Sequence, residues 1–281
     1  MKVTVAIPCY NGAAYVGQAI EAVLNQSRPA DEVLVIDDGS ADNSAEIIRR
    51  YPVHLIQHDV NKGLATSRNT AIAAASGEVL VFVDVDAYAD PHMLAVLLRE
   101  YDDPKVGGVG GQGIESNIRS LADRWRRVHA SQTHGQLPKD VDFLYGICMS
   151  FRLSALREVG GFNPVYRTNA EDVDVGLRLN TAGYRLRYEP EAKVYHQRTD
   201  DEESLKRTMA AWYAAGYRAK KLNRAQPWKL FIGTLRHIIA DPLNDLLMIH
   251  DCALVPLSVS VGLAKLQALI GAAVTNMEGK Q

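Results

Sequence analysis

Cysteine is scarce in this chain of 281 residues, and its net charge is low. The three cysteines, Cys9, Cys148 and Cys252, lie far apart and form no C-x-x-C pair. This spacing argues against a disulfide framework and a structural zinc site, and it is typical of reduced thiols in the cytoplasm. Internal repeats and low-complexity tracts are also lacking. The apolar content of 47% and the charged content of 23% are those of an ordinary globular protein.

The N-terminus lacks the pattern of a signal peptide. Residues 1–7 form a strand pattern directly, without the long apolar core and cleavage site of a secretory leader. Together with the cysteine spacing, this predicts a cytoplasmic protein.

The net charge of −2 hides an uneven distribution along the chain. Residues 1–202 carry 21 lysines and arginines against 28 acidic residues, whereas residues 203–281 carry 10 against 5. A basic C-terminal segment suggests an anionic surface or partner, and the alternative is a solvated helical face. No nucleic-acid-reading motif accompanies these basic residues, so we expect no nucleic-acid partner.

Short apolar runs alternate with helical patterns over the first third of the chain. This alternation predicts an α/β fold with a mostly parallel central sheet flanked by helices. The predicted strands are residues 3–7, 32–36, 54–57, 79–83 and 106–109. The predicted helices between them are residues 13–25, 43–50, 64–75 and 91–101. Farther on, the predicted elements are a helix at 118–130, strands at 141–145 and 147–151, a helix at 171–182, and strands at 185–188 and 192–196.

The most informative stretch is the apolar run 79–83, which leads directly into Asp84-Val85-Asp86. A run of this kind predicts a strand buried on both faces, as in a parallel sheet. Open α/β sheets bind their ligands at the carboxyl ends of the strands, where these two carboxylates fall. Two converging oxygen ligands suit Mg²⁺ or Mn²⁺, and the alternative is a solvated loop after a core strand.

Two other predicted strands end in residues that suit nucleotide binding. Pro8, Tyr10 and Asn11 follow the first strand, and Asp37 and Asp38 end the second. A tyrosine ring can pack against a base, and a carboxylate can accept a hydrogen bond from a base N–H. The sequence Asp-Gly-Ser is also common in turns, so neither cluster is specific by itself.

Lys62 and Arg68 form a third cluster, after strand three and in the helix that follows. Arg68 has the chemistry to contact a phosphate or a base edge, although an ordinary surface arginine is equally compatible with the pattern.

Farther along the chain, Glu171 and Asp172 begin a predicted helix, and His196 ends a predicted strand. Thr168 and Glu171 have the spacing of a capping box, which is the structural interpretation of this cluster. The functional interpretation makes Asp172, held at a helix start, a general base. His196 is either a structural histidine or part of a cation site.

As an ordered series, these motifs resemble the family 2 glycosyltransferases, which have the GT-A fold. The resemblance runs from Lys2 to His196, about two thirds of the chain. It implies inverting transfer of a sugar from a UDP-, GDP- or dTDP-sugar to an acceptor hydroxyl. The residues that carry it are residues 7–11, residues 35–40, Asn61-Lys62-Gly63, Asp84-Val85-Asp86, Gly160-Gly161-Phe162, Glu171-Asp172 with Arg178, and Val194-Tyr195-His196.

The resemblance also implies a role for each matching position. Asp172 would be the catalytic base, Asp86 and His196 would hold Mn²⁺ or Mg²⁺, and Glu171 and Gly161 would contact the acceptor. Glu171 is at the same time expected to act mainly as a helix cap. The implied donor-binding residues are Pro8, Tyr10, Asn11, Asp37, Asp38, Lys62, Arg68 and Asp84.

Two departures from the family pattern favour transfer of a single sugar over polymer synthesis. Processive members carry Thr before Glu-Asp and a later Gln-x-x-Arg-Trp, whereas here Ala170 precedes Glu171 and that motif is missing. The alternatives are a catalytically inactive GT-A-like scaffold that binds sugar-nucleotides, a nucleotidyltransferase that makes them, and a haloacid-dehalogenase-like phosphatase. Such a phosphatase normally has its Asp-x-Asp on the first strand, whereas here the motif follows the fourth predicted strand. A nucleotidyltransferase is expected to have a basic glycine-rich loop after the first strand, and residues 8–12 contain no Lys or Arg.

The sequence is divided into three segments: residues 1–113 for the nucleotide-sugar, 114–202 for the acceptor and catalysis, and a basic amphipathic helical tail at 203–281. The tail predicts contact with an anionic membrane surface, hence a peripheral position at the inner face of the cell membrane and a glycan or lipid-linked acceptor. Residues 252–274 reach the length of a membrane span, roughly 20 residues. Pro256 and Lys265 favour instead a helix that lies on a membrane or packs on the protein. The basic side chains expected on one arc of the tail are Lys206, Arg207, Arg218, Lys220, Lys221 and Arg224.

Overall fold

The computed structural model describes residues 1–223 and 226–278, with side chains described through residue 274. Arg224, from the predicted basic arc, lies outside these residues. Within them, nine strands form one mixed sheet in the order β3-β2-β1-β4-β8-β6-β9-β5, with β7 paired to β9. The strands are β1 (Val3–Cys9), β2 (Glu32–Asp37), β3 (His54–Gln57), β4 (Val79–Val83), β5 (Ala87–Ala89), β6 (Val106–Glu115), β7 (Lys139–Val141), β8 (Cys148–Arg152) and β9 (Arg185–His196).

The described residues also form α-helices. In chain order they are α1 (Val16–Leu24), α2 (Ser44–Ile48), α3 (Leu64–Ala74), α4 (Met93–Leu98), α5 (Leu121–His129), α6 (Leu153–Glu158), α7 (Glu171–Thr181), α8 (Glu202–Leu222), α9 (Trp228–Leu247) and α10 (Leu254–Glu278). A short 3₁₀ turn, Arg99–Asp102, follows α4.

The half of the sheet formed by β3, β2, β1 and β4 is parallel, as the alternation of strand and helix patterns predicts. Every residue of β1 and β4 is buried. Side chains alternate between two apolar clusters, because successive residues of a strand point to opposite faces. In β4, for example, Val81 belongs to the cluster that includes Ile20 of α1, and Phe82 to the cluster that includes Phe162. Burial on both faces explains why the run 79–83 is continuously apolar.

The other half of the sheet differs from the predicted elements. The predicted strand 141–145 was wrong beyond Val141, where β7 ends and an irregular loop leads to β8. The predicted strands 185–188 and 192–196 are one strand, β9, which contains Pro190. Its register against β6 shifts between Tyr188 and Lys193, and this irregularity accommodates the proline that made the pattern look interrupted.

Strand β6 contains five glycines among residues 107–113, directly before the predicted boundary between the first two segments. A Cβ atom on Gly111 would lie 2.1 Å from the Ala192 carbonyl oxygen, so a side chain there would prevent the close approach of β9. The glycines therefore allow strand packing and do not end the strand. The predicted boundary between residues 113 and 114 falls inside β6, and the two segments on either side share one sheet.

Contacts divide the chain into two compact units. Unit 1 consists of Met1–Ser116 and Gln132–Arg198 and contains the whole sheet. Unit 2 consists of Asn117–Ser131 and the chain from Thr199 onward.

Among its described residues, the secondary-structure elements of unit 2 are all helices, which confirms the helical pattern predicted after residue 202. Its core joins α5, α8 and α10 through Trp125, Leu205, Met209, Leu257 and Val261. In the described chain, Leu254–Val274 is the one stretch of helix long and apolar enough to cross a membrane, and 39% of that stretch is buried.

Candidate active site

The carboxyl ends of β2, β1 and β4 lie side by side, because these strands are parallel neighbours. Cys9 at the end of β1 pairs with Asp37 at the end of β2, and β4 ends just before Asp84. Most of the residues predicted to bind the donor and the metal therefore share one edge of the sheet, which is where open α/β sheets bind ligands. These residues are Pro8, Tyr10, Asn11, Asp37, Asp38, Asp84 and Asp86.

Asp38 is buried, and it organises the loop between β3 and α3. Its Oδ1 accepts from the Lys62 N–H at 2.9 Å, and its Oδ2 accepts from the Gly63 N–H at 2.8 Å. His58 Nδ1 lies 2.6 Å from Oδ1, and its Nε2 lies 2.9 Å from the Thr70 hydroxyl. Oδ1 already has two partners, whereas Oδ2 accepts only from Gly63 and has one lone-pair site left, so Asp38 fixes this loop and can still accept one hydrogen bond.

The loops after β1 and β2 are tied together around Asn11. Its N–H donates to Ser40 Oγ at 2.9 Å, and its Oδ1 accepts from the Ala41 N–H at 2.9 Å. Asp37 is buried and accepts from the Ser40 N–H at 3.1 Å and from Gln57 Nε2 at 3.1 Å. These two residues hold the loops in place.

Of the other predicted donor residues in these loops, Pro8 is buried and Tyr10 is half exposed, at 51%. Lys62 is exposed as well, although its backbone N–H is bound by Asp38. Of these three residues, Tyr10 and Lys62 are the ones whose side chains solvent reaches.

Arg68 is fully buried in α3 and bridges two parts of the site. Its Nη2 donates to Asp84 Oδ1 at 3.0 Å, and its Nη1 pairs with Glu171 Oε1 at the start of α7. Its guanidinium carbon also lies 5.7 Å from the ring centre of Phe82 and 5.5 Å from that of Phe162. Arg68 thus joins the end of β4 to the beginning of α7.

The bridge shapes the electrostatics of Asp84. Burial raises the pKa of this carboxyl to about 6, against the opposing effect of the Arg68 charge. The negative charges of Asp86 and Glu171 contribute to this rise in the pKa of Asp84.

Asp86, His196 and Glu115 form a row at the end of β9. His196 Nε2 lies 3.3 Å from Asp86 Oδ2, and His196 Nδ1 lies 3.0 Å from Glu115 Oε1. Burial alone would lower the pKa of His196, but the hydrogen bonds and charges of the two acids outweigh it and raise the pKa to about 9. Burial opposes ionisation of Asp86, yet its bond to His196 holds the pKa of Asp86 below the usual range.

This row fits a divalent cation. An oxygen and an imidazole nitrogen face each other, and Mn²⁺ accepts such a mixed pair more readily than Mg²⁺, which prefers oxygen ligands. Glu115 holds the other ring nitrogen, as the outer partners of metal-binding histidines commonly do. Among the described residues, no group of three or more His, Cys, Asp or Glu side chains is placed to hold a metal ion. Asp86 and His196 would therefore supply two ligands, and the others would come from substrate and water.

Asp172 lies in the first turn of α7 and is held by backbone groups. Its Oδ2 accepts from the Gly146 N–H at 3.1 Å, and its Oδ1 accepts from its neighbour Val173 at 2.8 Å. Burial, together with the adjacent Glu171 charge, raises the pKa of Asp172 to about 7, although the Arg68 charge and the backbone hydrogen bonds oppose the rise. A carboxyl with such a pKa is suited to accept a proton near neutral pH.

The predicted capping box at Thr168 and Glu171 was wrong. Helix α7 is preceded by Ala170 in the left-handed region, with φ of 68°, and no side chain caps it. Glu171 turns instead towards Arg68, because an ion pair satisfies its buried carboxylate better than a backbone contact at the surface would. Glu171 Oε2 is buried and has no hydrogen-bond partner among the described residues.

Gly161 belongs to a tight turn that is hydrogen-bonded to α7 through Arg178. Its φ is 69°, and a Cβ atom there would lie 2.6 Å from Asn69 Oδ1. Asn69 accepts from the Phe162 N–H at 2.8 Å, and Arg178 donates to the Gly161 carbonyl at 2.7 Å. Gly161 itself is buried, so its contribution here is the backbone geometry of the turn.

Glu115 and Gly146 were not among the predicted site residues. Glu115 ends the glycine-rich β6, and its register partner on β9 is His196, so its role depends on the pairing of strands that are distant in sequence. Gly146 contributes only backbone groups: its N–H binds Asp172, and its carbonyl accepts from Arg68 at 3.2 Å. A Cβ atom on Gly146 would lie 2.9 Å from Arg68 Nη2, which was not visible in the sequence.

Curated proteins similar to this chain are glycosyltransferases. The poly-beta-1,6-N-acetyl-D-glucosamine synthase of Staphylococcus epidermidis is 26% identical over 222 residues, covering 75% of this chain and 53% of that protein. The pre-mycofactocin glycosyltransferase of Mycobacterium tuberculosis is 33% identical over 209 residues, covering 69% of this chain and 42% of that protein. The chain thus spans about half the length of the curated relatives it matches.

Two solved structures show the same fold as this chain. A mannosyltransferase from Pyrobaculum calidifontis, in complex with GDP-Man and Mn²⁺, superposes with a TM-score of 0.67 at 22% identity, covering 100% of this chain and 88% of that one. S. aureus TarS 1-349 in complex with UDP-GlcNAc superposes with a TM-score of 0.58 at 16% identity, covering 99% and 92%. At these identities the likeness shows a shared fold, the GT-A fold.

Residues 4–160 match the model of a protein family described as "Glycosyl transferase family 2". This match covers more than half of the chain and includes the strand ends that bear Asp38, Asp84 and Asp86. The chain belongs to glycosyl transferase family 2 and has the GT-A fold.

Proposed function

We propose that this protein transfers a single sugar from a nucleotide-sugar to an acceptor hydroxyl, with inversion at the anomeric carbon. The observation that carries the proposal is the Arg68 bridge, which holds the end of β4 and the start of α7 together through Asp84 and Glu171. The bridge brings Asp84 and Asp86, at the end of β4, into one region with Asp172. The pKa of Asp172 is raised, which suits a different task from cation binding. Cation binding and proton acceptance are the two tasks that such a transfer divides between acidic residues.

The donor would bind across the loops that follow β1, β2 and β3. Tyr10, half exposed, is available to pack against the base, with Pro8 and Asn11 shaping the loop beside it. Asp37 and Asp38 fix the surrounding backbone, and Asp38 has acceptor capacity left for a base N–H. Lys62 is exposed and suits a phosphate. A UDP-, GDP- or dTDP-sugar would meet these requirements, and two proteins of the same fold were solved in complex with GDP-Man and with UDP-GlcNAc.

Asp86 and His196 would hold Mn²⁺ or Mg²⁺, with Asp84 beside them at the same strand end. When bound, the cation neutralises negative charge that develops on the leaving nucleoside diphosphate. Arg68 is fully buried and engaged by two carboxylates, so we assign it to holding Asp84 and Glu171 in position.

Asp172 would accept the proton of the acceptor hydroxyl. As the hydroxyl oxygen forms a bond to the anomeric carbon, the bond from that carbon to the diphosphate oxygen breaks on the opposite face, which inverts the configuration. The electron pair of the broken bond leaves with the diphosphate. The Gly146 N–H keeps Asp172 in one orientation, and general-base help of this kind is worth about 10²–10⁴-fold in rate.

The acceptor would approach the start of α7. Glu171 Oε2 is a buried acceptor without a partner among the described residues, so a sugar hydroxyl would satisfy it, while Gly161 supports the turn below. We infer a glycan or a lipid-linked acceptor in cell-envelope or exopolysaccharide assembly, with the protein at the cytoplasmic face of the membrane. The similarity to a poly-beta-1,6-N-acetyl-D-glucosamine synthase supports a glycan acceptor. The missing Gln-x-x-Arg-Trp supports a single transfer.

A donor screen tests the proposal. UDP-, GDP- and dTDP-sugars would be incubated with Mn²⁺, Mg²⁺ or EDTA, and release of the nucleoside diphosphate would be followed for the wild type, Asp86→Ala and Asp172→Asn. The matched control is Asp140→Asn, the same change at a carboxylate that is half exposed. We expect cation-dependent turnover of one donor class, reduced in both site variants and retained in the control.

Calorimetry with each donor separates a missing acceptor from a wrong assignment. If a donor binds only with the cation but is not turned over, the donor site is correctly assigned and the acceptor is missing, so acceptors would be screened next. Absence of cation-dependent donor binding for every donor contradicts the catalytic proposal. Release of pyrophosphate from a nucleoside triphosphate and a sugar phosphate would identify a nucleotidyltransferase instead.

A further inference from the structure

Helix α9 of unit 2 exposes a stripe of large apolar side chains. Ile232, Leu235, Ile239, Leu243 and Leu246 are exposed by 57%, 52%, 67%, 50% and 47%. Their spacing of three or four residues places them on one side of the helix. A single exposed leucine is ordinary, but a stripe along a whole helix marks an interaction site.

The opposite side of α9 packs against the interior of unit 2. Thr234, Asp241 and Asp245 are buried on that side. His129 Nε2 of α5 lies 2.6 Å from Asp245 Oδ1, so polar contacts fix the rotation of α9 about its axis. The apolar stripe therefore faces outward because polar residues occupy the inner side.

Helix α10 adds a second apolar stripe next to the first. Leu263 and Ile270 are exposed by 47% and 49%. The two helices touch where a Cβ atom on Gly262 would lie 2.7 Å from Ile238 Cγ1. With 3.6 residues per turn, Ile238 falls between the buried side of α9 and its stripe, and Gly262 falls between the corresponding sides of α10. Both stripes thus border one line of contact and form a single surface, which we call the hairpin surface (Ile232, Leu235, Ile239, Leu243, Leu263 and Ile270).

Charge beside the hairpin surface is positive. Lys229 and Arg236 are exposed on α9, at the border of its stripe, and Trp228, 54% exposed, stands at the start of the helix. The acids of α9, Asp241 and Asp245, are buried. An apolar face flanked by basic residues and an exposed tryptophan is the pattern of a helix that lies in the interface of an anionic lipid leaflet.

The inner side of α10 argues against a helix that crosses the membrane. Lys265 is buried there, with Nζ 4.9 Å from the ring centre of Trp125 and 4.8 Å from that of Tyr213. A membrane-spanning α10 would have to leave these contacts and carry this amine into hydrocarbon. If α10 stays packed on unit 2, Lys265 keeps its contacts, and the exposed stripe of α10 can still contact lipid.

We propose that the hairpin surface inserts into the headgroup region of an anionic lipid bilayer, with α9 and α10 lying in the plane of the membrane. This attachment differs from the electrostatic contact predicted for the basic arc of α8, because it depends chiefly on apolar insertion. It is independent of the proposed sugar transfer, since lipid binding requires no donor.

Vesicle flotation of the full chain tests the proposal. Vesicles would contain either phosphatidylcholine alone or equimolar phosphatidylcholine and phosphatidylglycerol. We expect the wild type to float with the anionic vesicles, and to stay largely bound in high salt that releases purely electrostatic attachment. Emission of Trp228 should shift to the blue on binding, and Trp228→Phe should remove that shift.

The double variant Leu235→Glu, Ile239→Glu should lower the vesicle partition coefficient by roughly tenfold or more, because each side chain loses its apolar transfer. Its matched control is Leu137→Glu, at a leucine of unit 1 that is 75% exposed, and this control should float like the wild type. Circular dichroism would confirm that both variants remain folded.

Several outcomes would overturn the proposal. One is failure of the wild type to float with either kind of vesicle. A second is flotation of the folded double variant equal to that of the wild type. A third is a wild-type dimer that the double variant dissociates without any vesicle binding, which would assign the hairpin surface to a second copy of the chain.

Discussion

His196 Nδ1 lies 3.0 Å from Glu115 Oε1, and the two residues are register partners on the parallel strands β9 and β6. Glu115 fixes the imidazole so that Nε2 faces Asp86. Glu115→Gln should therefore weaken cation binding, and losses of about 10–100-fold follow removal of such an outer partner. The Mn²⁺ concentration for half-maximal activity, measured at saturating donor, checks this.

The control for this prediction is Glu191→Gln, the same change at an exposed glutamate that ends no site strand. An unchanged Mn²⁺ requirement in Glu115→Gln would mean that His196 does not depend on Glu115 for its orientation.

The requirement for a cation should itself depend on the nucleotide. The proposed cation site has two protein ligands, Asp86 and His196, and the described residues provide no group of three or more His, Cys, Asp or Glu side chains that could hold a metal ion alone. We expect UDP, or the diphosphate of the identified donor, to lower the Kd for Mn²⁺ at least roughly tenfold, the effect of about 1.4 kcal/mol. Mn²⁺ titrations by paramagnetic resonance, with and without the nucleotide, measure this. Tight binding without nucleotide would point to a cation site elsewhere.

Asp172→Asn should separate activity from stability. Loss of a general base lowers kcat by about 10²–10⁴-fold, while donor affinity in calorimetry should stay near the wild-type value. The raised pKa of Asp172 means that the folded protein disfavours the charged form, so stability is lost as pH rises from the unfolded pKa towards about 7. The variant lacks this charge, so its free energy of unfolding at pH 8 should exceed that of the wild type. Urea unfolding with the Asp140→Asn control checks the sign.

The pH profile should reflect the same carboxyl group. Burial and the Glu171 charge raise the pKa of Asp172 to about 7, so kcat/KM should fall as pH decreases through that region. Glu171→Gln removes the neighbouring negative charge, which should move the acidic limb of the profile to lower pH. A limb that stays in place, or moves upward, would contradict the assignment of Asp172 as the base.

Arg68 should contribute strongly to folding. Arg68→Met leaves Asp84 and Glu171 without their buried counter-charge, and breaking a buried pair in this way typically costs about 3–5 kcal/mol. Urea unfolding at neutral pH measures the loss, and Arg167→Met, at an exposed arginine, is the matched control. A loss below about 1 kcal/mol, typical of exposed pairs, would show that the bridge is not structural.

Much of the site could be predicted because its residues follow apolar runs that are unambiguous. The run 79–83 has to be a strand buried on both faces, which fixes where Asp84 and Asp86 lie. The run that ends at Asp37 is similar, and parallel pairing then brings both strand ends to one edge. These inferences need only local pattern and the rule for ligands in open sheets.

The remaining features depend on contacts between residues far apart in sequence. Glu171 was expected to cap its own helix, but its partner is Arg68, which is 103 residues away. Pro190 interrupts a strand pattern locally, yet a register shift against β6 keeps β9 continuous. Glu115 follows a run of glycines that shows no alternation, so its place beside His196 emerges only from strand pairing.

Helix α5 enters unit 2 from the middle of the chain, between two stretches that belong to unit 1. Its Trp125 is fully buried, and its indole Nε1 donates to Ser258 of α10 at 2.8 Å. Cutting the chain after Arg198 would therefore leave α5, and its buried Trp125, without the helices that it packs against. Unit 2 cannot be exchanged between transferases as a C-terminal cassette: a chimera that keeps this anchoring has to carry residues 117–131 along with the tail.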